Sequence, residues 1–282
     1  MDPVTVGCDV ELECYKHDGK FVRADSVLLG KEFPRPDAYD DWEDKRYTEP
    51  TEEQRKERLL DCPIGLDGNP IKLEFRPTPA VDPVEMIASL KYLIRDFTVA
   101  HPEIELRCTG QEVSLSGHIH FGHPIFKQYN YEMFHALMSM LDEAAGTSLL
   151  FSCPSQARRQ SKYFAISQYR VKPWGFEYRT PSAWLFRDPT YAIVVIKLLQ
   201  ALVTDFVEAS LIYGEPKYVL TSHEVYSDRL ATRKRGINGI EKYLTGYELA
   251  IFKTAISNHY QRQDFIPMWS SWDIGQYVKA TR

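Results

Sequence analysis

The sequence lacks a Gly-rich phosphate loop. Neither GxxxxGK[ST] nor GxGxxG occurs in its 282 residues. Any bound nucleotide must then be held by metal ions and cationic side chains, not by a backbone cradle. Cysteine is scarce: Cys8, Cys14, Cys62, Cys108 and Cys153 are scattered and form no CxxC pair. That argues against a zinc knuckle or a disulfide framework and for a reducing compartment. The start, "MDPVTVGCDVELE", has no basic stretch followed by an apolar run, and no segment approaches a membrane span. A cytoplasmic protein with no membrane partner is the expectation. Nor is there an excess of positive charge. Lys plus Arg number 34 against 39 Asp plus Glu, a net charge of -5. Counterion release therefore gives no general drive toward nucleic acid, so a nucleic-acid partner is not expected. No repeat and no low-complexity tract appears.

What is present suits one large domain. Hydrophobic residues make up 44% and aromatics 13%, enough for a core and in keeping with an antiparallel sheet. Residues 4–14 alternate apolar with polar and read as a strand. Residues 31–58 are charged and poor in aliphatics, an expected surface insertion with a short helix from Thr51 or Glu52. Asp67-Gly68 is a turn signal, and "IKLEFR" after it reads as a strand. Asp82 and Pro83 open an amphipathic helix over 82–98. Strands are expected at 103–108 and 112–121, a helix at 127–145, and a strand pair across 161–180. A long apolar helix from 188 to 213 begins a mainly helical part reaching 282. The class is α+β with a largely antiparallel sheet over residues 1–282.

Four short stretches carry chemistry. In "SGHIHFG" (116–122), His118 and His120 point to one face of a strand, and Ser116 joins them. Inside a sheet domain they are either satisfied histidines or ligands; Gly117 and Gly122 permit close approach of a neighbour. In "GCDVELE" (7–13), Asp9, Glu11 and Glu13 share one face while Val6, Cys8, Val10 and Leu12 share the other. Three like charges on one face are either solvated or neutralised by hard divalent cations such as Mg2+ or Mn2+. "LEFRPTP" and "FEYRTPS" each place a Glu and an Arg two residues apart, Glu74 with Arg76 and Glu177 with Arg179. Each pair alone could be a cross-sheet salt bridge. Together they offer carboxylates for metals and guanidiniums, Arg76 among them, for phosphates. Arg158, Arg159 and Arg170, in "QARRQSKYFAISQYRVKPWGFEYR", are either an exposed basic face or phosphate clamps.

The ordered set "GCDVELE", "LEFRPTP", "SGHIHFG" and "YRVKPWGFEYRTPSAW" resembles the glutamine synthetase-like carboxylate–amine ligases, or amidoligases. It is most similar to the phage-associated COOH·NH2 ligase type 2 group. The resemblance covers residues 7–184. It implies a catalytic domain of the glutamine synthetase and guanidino kinase kind, with helices on one face of the sheet and an open, funnel-like site on the other. It implies ATP and two or three Mg2+ (or Mn2+) ions as cofactors, a carboxylate and an amine as substrates, and an acyl-phosphate intermediate. A phage-encoded chain would work in the host cytoplasm. By position, Glu11, Glu13, Glu74 and Glu177 resemble the metal ligands, and His118 the histidine that reaches metal and nucleotide. His120 resembles a neighbour near the phosphates or substrate, and Arg179 the arginine that faces the transferred phosphoryl group. Arg170 and one of Arg158 or Arg159 resemble the phosphate-binding arginines. The family's further acidic ligands near Glu74 are not evident; Asp67 and Glu85 are the acidic residues that could stand in, and neither is counted among the expected ligands. The 31–58 insertion and the 228–239 loop are either surface decoration or cover for the site. Three other readings remain: an ATP-guanidino phosphotransferase-like kinase; a metal-dependent hydrolase built on His-x-His, which would call for more histidines than His101, His123 and His135 supply at strand spacing; and a non-catalytic binding or virion-associated scaffold whose Glu-x-Arg pairs are plain salt bridges.

Overall fold

A computed structural model describes residues 2–33, 51–155, 166–213 and 240–256. The alternating start of the chain forms β1 (Thr5–Lys16). It is followed by β2 (Phe21–Val22), α1 (Ala24–Leu29) and α2 (Glu52–Glu57), the last with a Thr51–Gln54 capping box. Next come β3 (Ile64–Leu66), β4 (Leu73–Phe75), α3 (Pro83–Ala100) and β5 (Ile104–Arg107). β6 (Gly117–Gly122) leads into a 3-10 turn and α4 (Tyr131–Leu141). A π turn over Asp142–Gly146 joins α4 to α5 (Thr147–Ser152). The hairpin of β7 (Tyr169–Lys172) and β8 (Gly175–Tyr178) precedes the long α6 (Pro189–Tyr213). The last described helix is α7 (Gly246–Ala255).

The sheet is antiparallel throughout and open. Its order is β3-β4-β1-β6-β8-β7, with β2 and β5 pairing the far half of β1. β1 is central because it is long enough to serve four partners besides β2. It pairs β6 along Thr5–Val10, β4 along Val10–Leu12 and β5 along Glu13–Lys16, and it bridges to Ala80 through Val6.

Helices cover one face. Val6, Val10 and Leu12 of β1, Ile119 and Phe121 of β6, and Phe176 and Tyr178 of β8 are fully buried there. Burial of each aliphatic of this size stabilises by about 1.5–3 kcal/mol. α3 opens as its sequence predicts, with Asp82 accepting from the Val84 N–H at 2.8 Å and Pro83 in the first turn. It lays Met86 against Cys8, their sulfurs 3.3 Å apart, and the edge of Phe97 against Phe75. α6 packs beside it on β1 and β6. Among the described residues no helix is long and apolar enough to cross a membrane.

Two expected boundaries move. The strand anticipated at 112–121 begins only at Gly117, because the N–H groups of residues 111–113 bond to a carboxylate instead of a neighbouring strand. The helix anticipated at 127–145 starts later, at Tyr131, where Asn130 caps it by accepting from the Met133 N–H. The 228–239 loop, Arg158, Arg159 and most of the 31–58 insertion lie outside the described residues.

Candidate active site

Strand register decides what the uncovered face displays. Directly opposed residues of an antiparallel pair point the same way. Glu11 is opposite Glu74, Asp9 opposite His118, and Gly7 opposite His120. His120 is in turn opposite Glu177, which is opposite Arg170. One face therefore collects Asp9, Glu11, Glu74, His118, His120, Glu177 and Arg170, and by period two Lys72, Arg76, Lys172 and Arg179. The Glu-x-Glu, His-x-His and both Glu-x-Arg stretches meet there.

The face has two unlike ends. On the β4–β1 side, ligand oxygens of Glu11, Asp67 and Glu74 lie within 4.8 Å of one another. The Lys72 ammonium sits between two of them, 2.8 Å from Glu11 and 2.9 Å from Asp67. Arg76 bonds Glu74 and the carbonyls of Cys62 and Leu66. The Ser116 N–H also donates to Glu11, at 2.7 Å. Burial pushes Glu74 well above the usual carboxylate range, and the Asp9 charge adds to it. Burial likewise raises Glu11, against the pull of Lys72. Asp67 is half-buried; desolvation would raise it, yet Lys72 holds it below its ordinary value. Burial alone would lower Lys72; Asp67 and Glu11 instead keep it firmly protonated. Three carboxylates thus share two cations. The all-oxygen donor set fits one hard divalent ion such as Mg2+ or Mn2+, whose charge would offset the burial that raises Glu11 and Glu74.

The β8–β7 side is the reverse. Among the described residues a single carboxylate, Glu177, 2% exposed, is ringed there by three cations and a histidine. Arg179 bonds one oxygen, which also lies 3.2 Å from His118 Nδ1. Lys172 Nζ is 3.2 Å from the other oxygen, and Arg170 3.7 Å. Between the two ends, His120 Nε2 lies 3.1 Å from Asp9 Oδ2, and its ring rests against Trp174, centroids 5.1 Å apart. Burial would raise Asp9, but His120 outweighs it and holds the carboxyl below its ordinary range.

Glu13 shares the face by parity but takes no part in the carboxylate group. Its oxygens accept from the backbone N–H groups of Gln111, Glu112 and Val113 at 3.1, 2.7 and 2.9 Å, and from Tyr15 at 3.2 Å. Glu177, expected with the metal ligands, is placed among cations. Glu85 lies on α3 in the first turn, away from this face. Lys72 and Lys172 join the site although neither belongs to a Glu-x-Glu, His-x-His or Glu-x-Arg pair, and Asp67 reaches it from the Asp67-Gly68 turn. The signal for both lysines was their period-two spacing from Glu74 and Arg170.

The chain belongs to the phage phiEco32-like COOH·NH2 ligase-type 2 family, whose model matches residues 66–272. The family is one of carboxylate–amine ligases. β1, with Asp9, Glu11 and Glu13, precedes the matched residues. Among solved structures the chain is similar to a GmaS/ADP complex, at 10% identity and a TM-score of 0.49, over 99% of this chain and 73% of that one. It is similar to GmaS without ligand at 13% identity and a TM-score of 0.48, over 99% and 70% of the two chains. A bifunctional glutathione synthetase from Pasteurella multocida matches at 12% identity and a TM-score of 0.49, over 99% of this chain and 49% of that one. The curated proteins compared give no match.

Proposed function

We propose that the chain is an ATP-dependent ligase that joins a carboxylate to an amine through an acyl phosphate. The observation that carries the reading is the division of one sheet face into a carboxylate end and a cation end. Adjacent strands lie about 4.8 Å apart, so β4 and β7 are separated by roughly 19 Å, room for a triphosphate with an acceptor beside it. Glu11, Glu74 and Asp67 are the residues that would hold a divalent ion. Such an ion supplies positive charge to phosphate oxygens. Arg170, Lys172 and Arg179 bind the phosphoryl group as it transfers, and Glu177 keeps the three cations and His118 gathered when no phosphate is present.

The chemistry asks for this layout. A substrate carboxylate oxygen attacks the γ-phosphorus, the bond to the β-phosphate oxygen breaks, and ADP leaves. The amine nitrogen then attacks the acyl carbon, phosphate departs, and the nitrogen gives up a proton. The first step brings anion to anion, so positive charge must be fixed in place beforehand. His120 and Asp9, adjoining both ends, are placed to take the proton that the amine loses. Small-molecule or peptide acids and amines in the cytoplasm are the substrates we propose. Arg179 and Arg76 do pair with Glu177 and Glu74, as a scaffold reading requires. That reading leaves unexplained why Lys172, Arg170 and His118 crowd the same buried carboxylate. Release of ADP from Mg–ATP, dependent on both an acid and an amine, tests the proposal. An ATP-independent chain, or one that returns a stable phosphorylated product, contradicts it.

A further inference from the structure

Beneath the cation end, on the helix side of the sheet, one carboxylate is saturated with donors from the last residue of β8, a residue just beyond that strand and the turn that leads into β7. Asp142 is 1% exposed and stands at the junction of α4 with the π turn. One oxygen accepts from the Tyr178 hydroxyl and from Thr180 Oγ1, the latter at 3.2 Å. The other accepts from the Ser167 N–H and from Ser167 Oγ, the latter at 2.9 Å.

These partners flank the working cations. Tyr178 and Thr180 are the chain neighbours of Arg179, so both sides of that arginine are tied to one point. Its own N–H donates to the Gln168 carbonyl at 2.9 Å, and Gln168 follows the tethered Ser167. Two residues further on, β7 presents Arg170 and then Lys172. Ser167 has φ of 64°, left-handed backbone that a serine adopts only when its surroundings impose it. Its N–H and hydroxyl both bond Asp142, which supplies that imposition.

The helix side is shaped for the same contact. A Cβ on Gly146 would fall 1.8 Å from the Tyr178 hydroxyl oxygen and 2.6 Å from Asp142 Oδ1. Only glycine lets the π turn come this close. π turns of this kind are rare and commonly accompany functional sites.

We infer that Asp142 is a positioning residue of the ligase site: from the far side of the sheet it fixes Arg179 and the entry to β7, so that Arg179, Arg170 and Lys172 converge on one phosphoryl group. The inference rests on the proposed ligase reading for its function, and on the hydrogen bonds alone for its structure. Asp142 touches no substrate. An amide in its place keeps the shape, but with its oxygen on the Ser167 N–H its NH2 meets the Tyr178 and Thr180 hydroxyls, which must turn from donors into acceptors, and the charge-assisted bonds that tighten the clamp are lost.

The test combines Mg–ADP titration calorimetry with hydrogen exchange of the Arg179 and Ser167 amides. Four variants are compared with the wild type: Asp142→Asn, Thr180→Val, Thr180→Ser and Asp25→Asn. Asp25 is a fully buried carboxylate that anchors Arg23 and the Phe33 N–H elsewhere, and it controls for general loss of stability. The expected result is Mg–ADP affinity at least tenfold weaker in Asp142→Asn and Thr180→Val. It is restored in Thr180→Ser and unchanged in Asp25→Asn, and faster Arg179 exchange appears only in the first two. Asp142→Asn with wild-type affinity and protection overturns the inference, as does equal weakening in Asp25→Asn. If the wild type binds no ADP, the ligase reading fails and exchange alone decides the clamp: lost protection in Asp142→Asn upholds it, and retained protection removes it.

Discussion

Lys72 sets its ammonium 2.8 Å from the Glu11 carboxylate, both side chains almost wholly buried on the uncovered face of the sheet. The same ammonium also serves Asp67. One protein cation thus stands inside the group of carboxylates proposed to hold a divalent ion. It lowers the charge that group would otherwise carry, and so limits how many ions the group can take.

Lys72→Met is therefore expected to destabilise the metal-free protein. Removing one member of a buried pair costs about 3–5 kcal/mol, because the partner charge is left unpaired. Added Mn2+ should recover more of the lost melting temperature in this variant than it adds to the wild type. Thermal melting with and without Mn2+ measures both. A variant as stable as the wild type, and equally indifferent to metal, contradicts the account.

Glu13→Gln separates two roles for that residue. The amide offers an NH2 toward N–H groups that now meet a carboxylate oxygen, so the 111–113 loop loses bonds and stability drops by about 1–3 kcal/mol. Mg–ADP affinity, measured well below the melting temperature, should persist. A stable variant with its Mg dependence abolished would return Glu13 to the metal ligands, where its motif resemblance puts it.

Arg179→Gln is expected to spare the fold, since Lys172, Arg170 and His118 remain around Glu177. ADP release should fall a hundredfold or more, corresponding to about 3 kcal/mol of transition-state stabilisation. Steady-state ADP assays alongside melting curves check this. Unchanged turnover would remove Arg179 from the chemistry.

Burial pushes Asp142 up to about 6 from an ordinary 3.8, despite the hydroxyls and N–H that bond it. The folded chain then holds this proton more tightly than the unfolded chain. Its contribution to stability is complete below about pH 4 and is lost as pH rises through 6. Two pKa units amount to about 3 kcal/mol. Other carboxylates titrate nearby, so the quantity to read is the difference between wild type and Asp142→Asn in denaturant unfolding from pH 4 to 7. Parallel curves contradict the shift.

Much of the sheet was legible in the sequence because period-two alternation needs no tertiary information. "VGCDVELE" sorts itself into Val6, Cys8, Val10 and Leu12 against Asp9, Glu11 and Glu13, and the structure keeps that division. What alternation cannot reveal is where a side chain's end goes. Glu13 and Glu11 share a face, yet a loop about a hundred residues away claims one, and Lys72 claims the other. Asp67 was visible as the start of an Asp-Gly turn; its approach to Glu11 depends on how β3 and β4 fold back. Asp142 carries no motif. It sits in a Met- and Leu-rich helical run, and its partners Ser167, Tyr178 and Thr180 are residues that sequence reading passes over. The two arginines of "QARRQ" lie outside the described residues, so their part rests on sequence alone.

The most direct measurement is calorimetric titration of ADP into the wild type and Glu11→Gln, with and without Mg2+. Wild-type binding is expected to need Mg2+ and to be lost or strongly weakened in Glu11→Gln, with the variant still folded. Folded wild type that binds no ADP, or binds it equally with and without Mg2+ in both proteins, contradicts a metal–nucleotide site on this face.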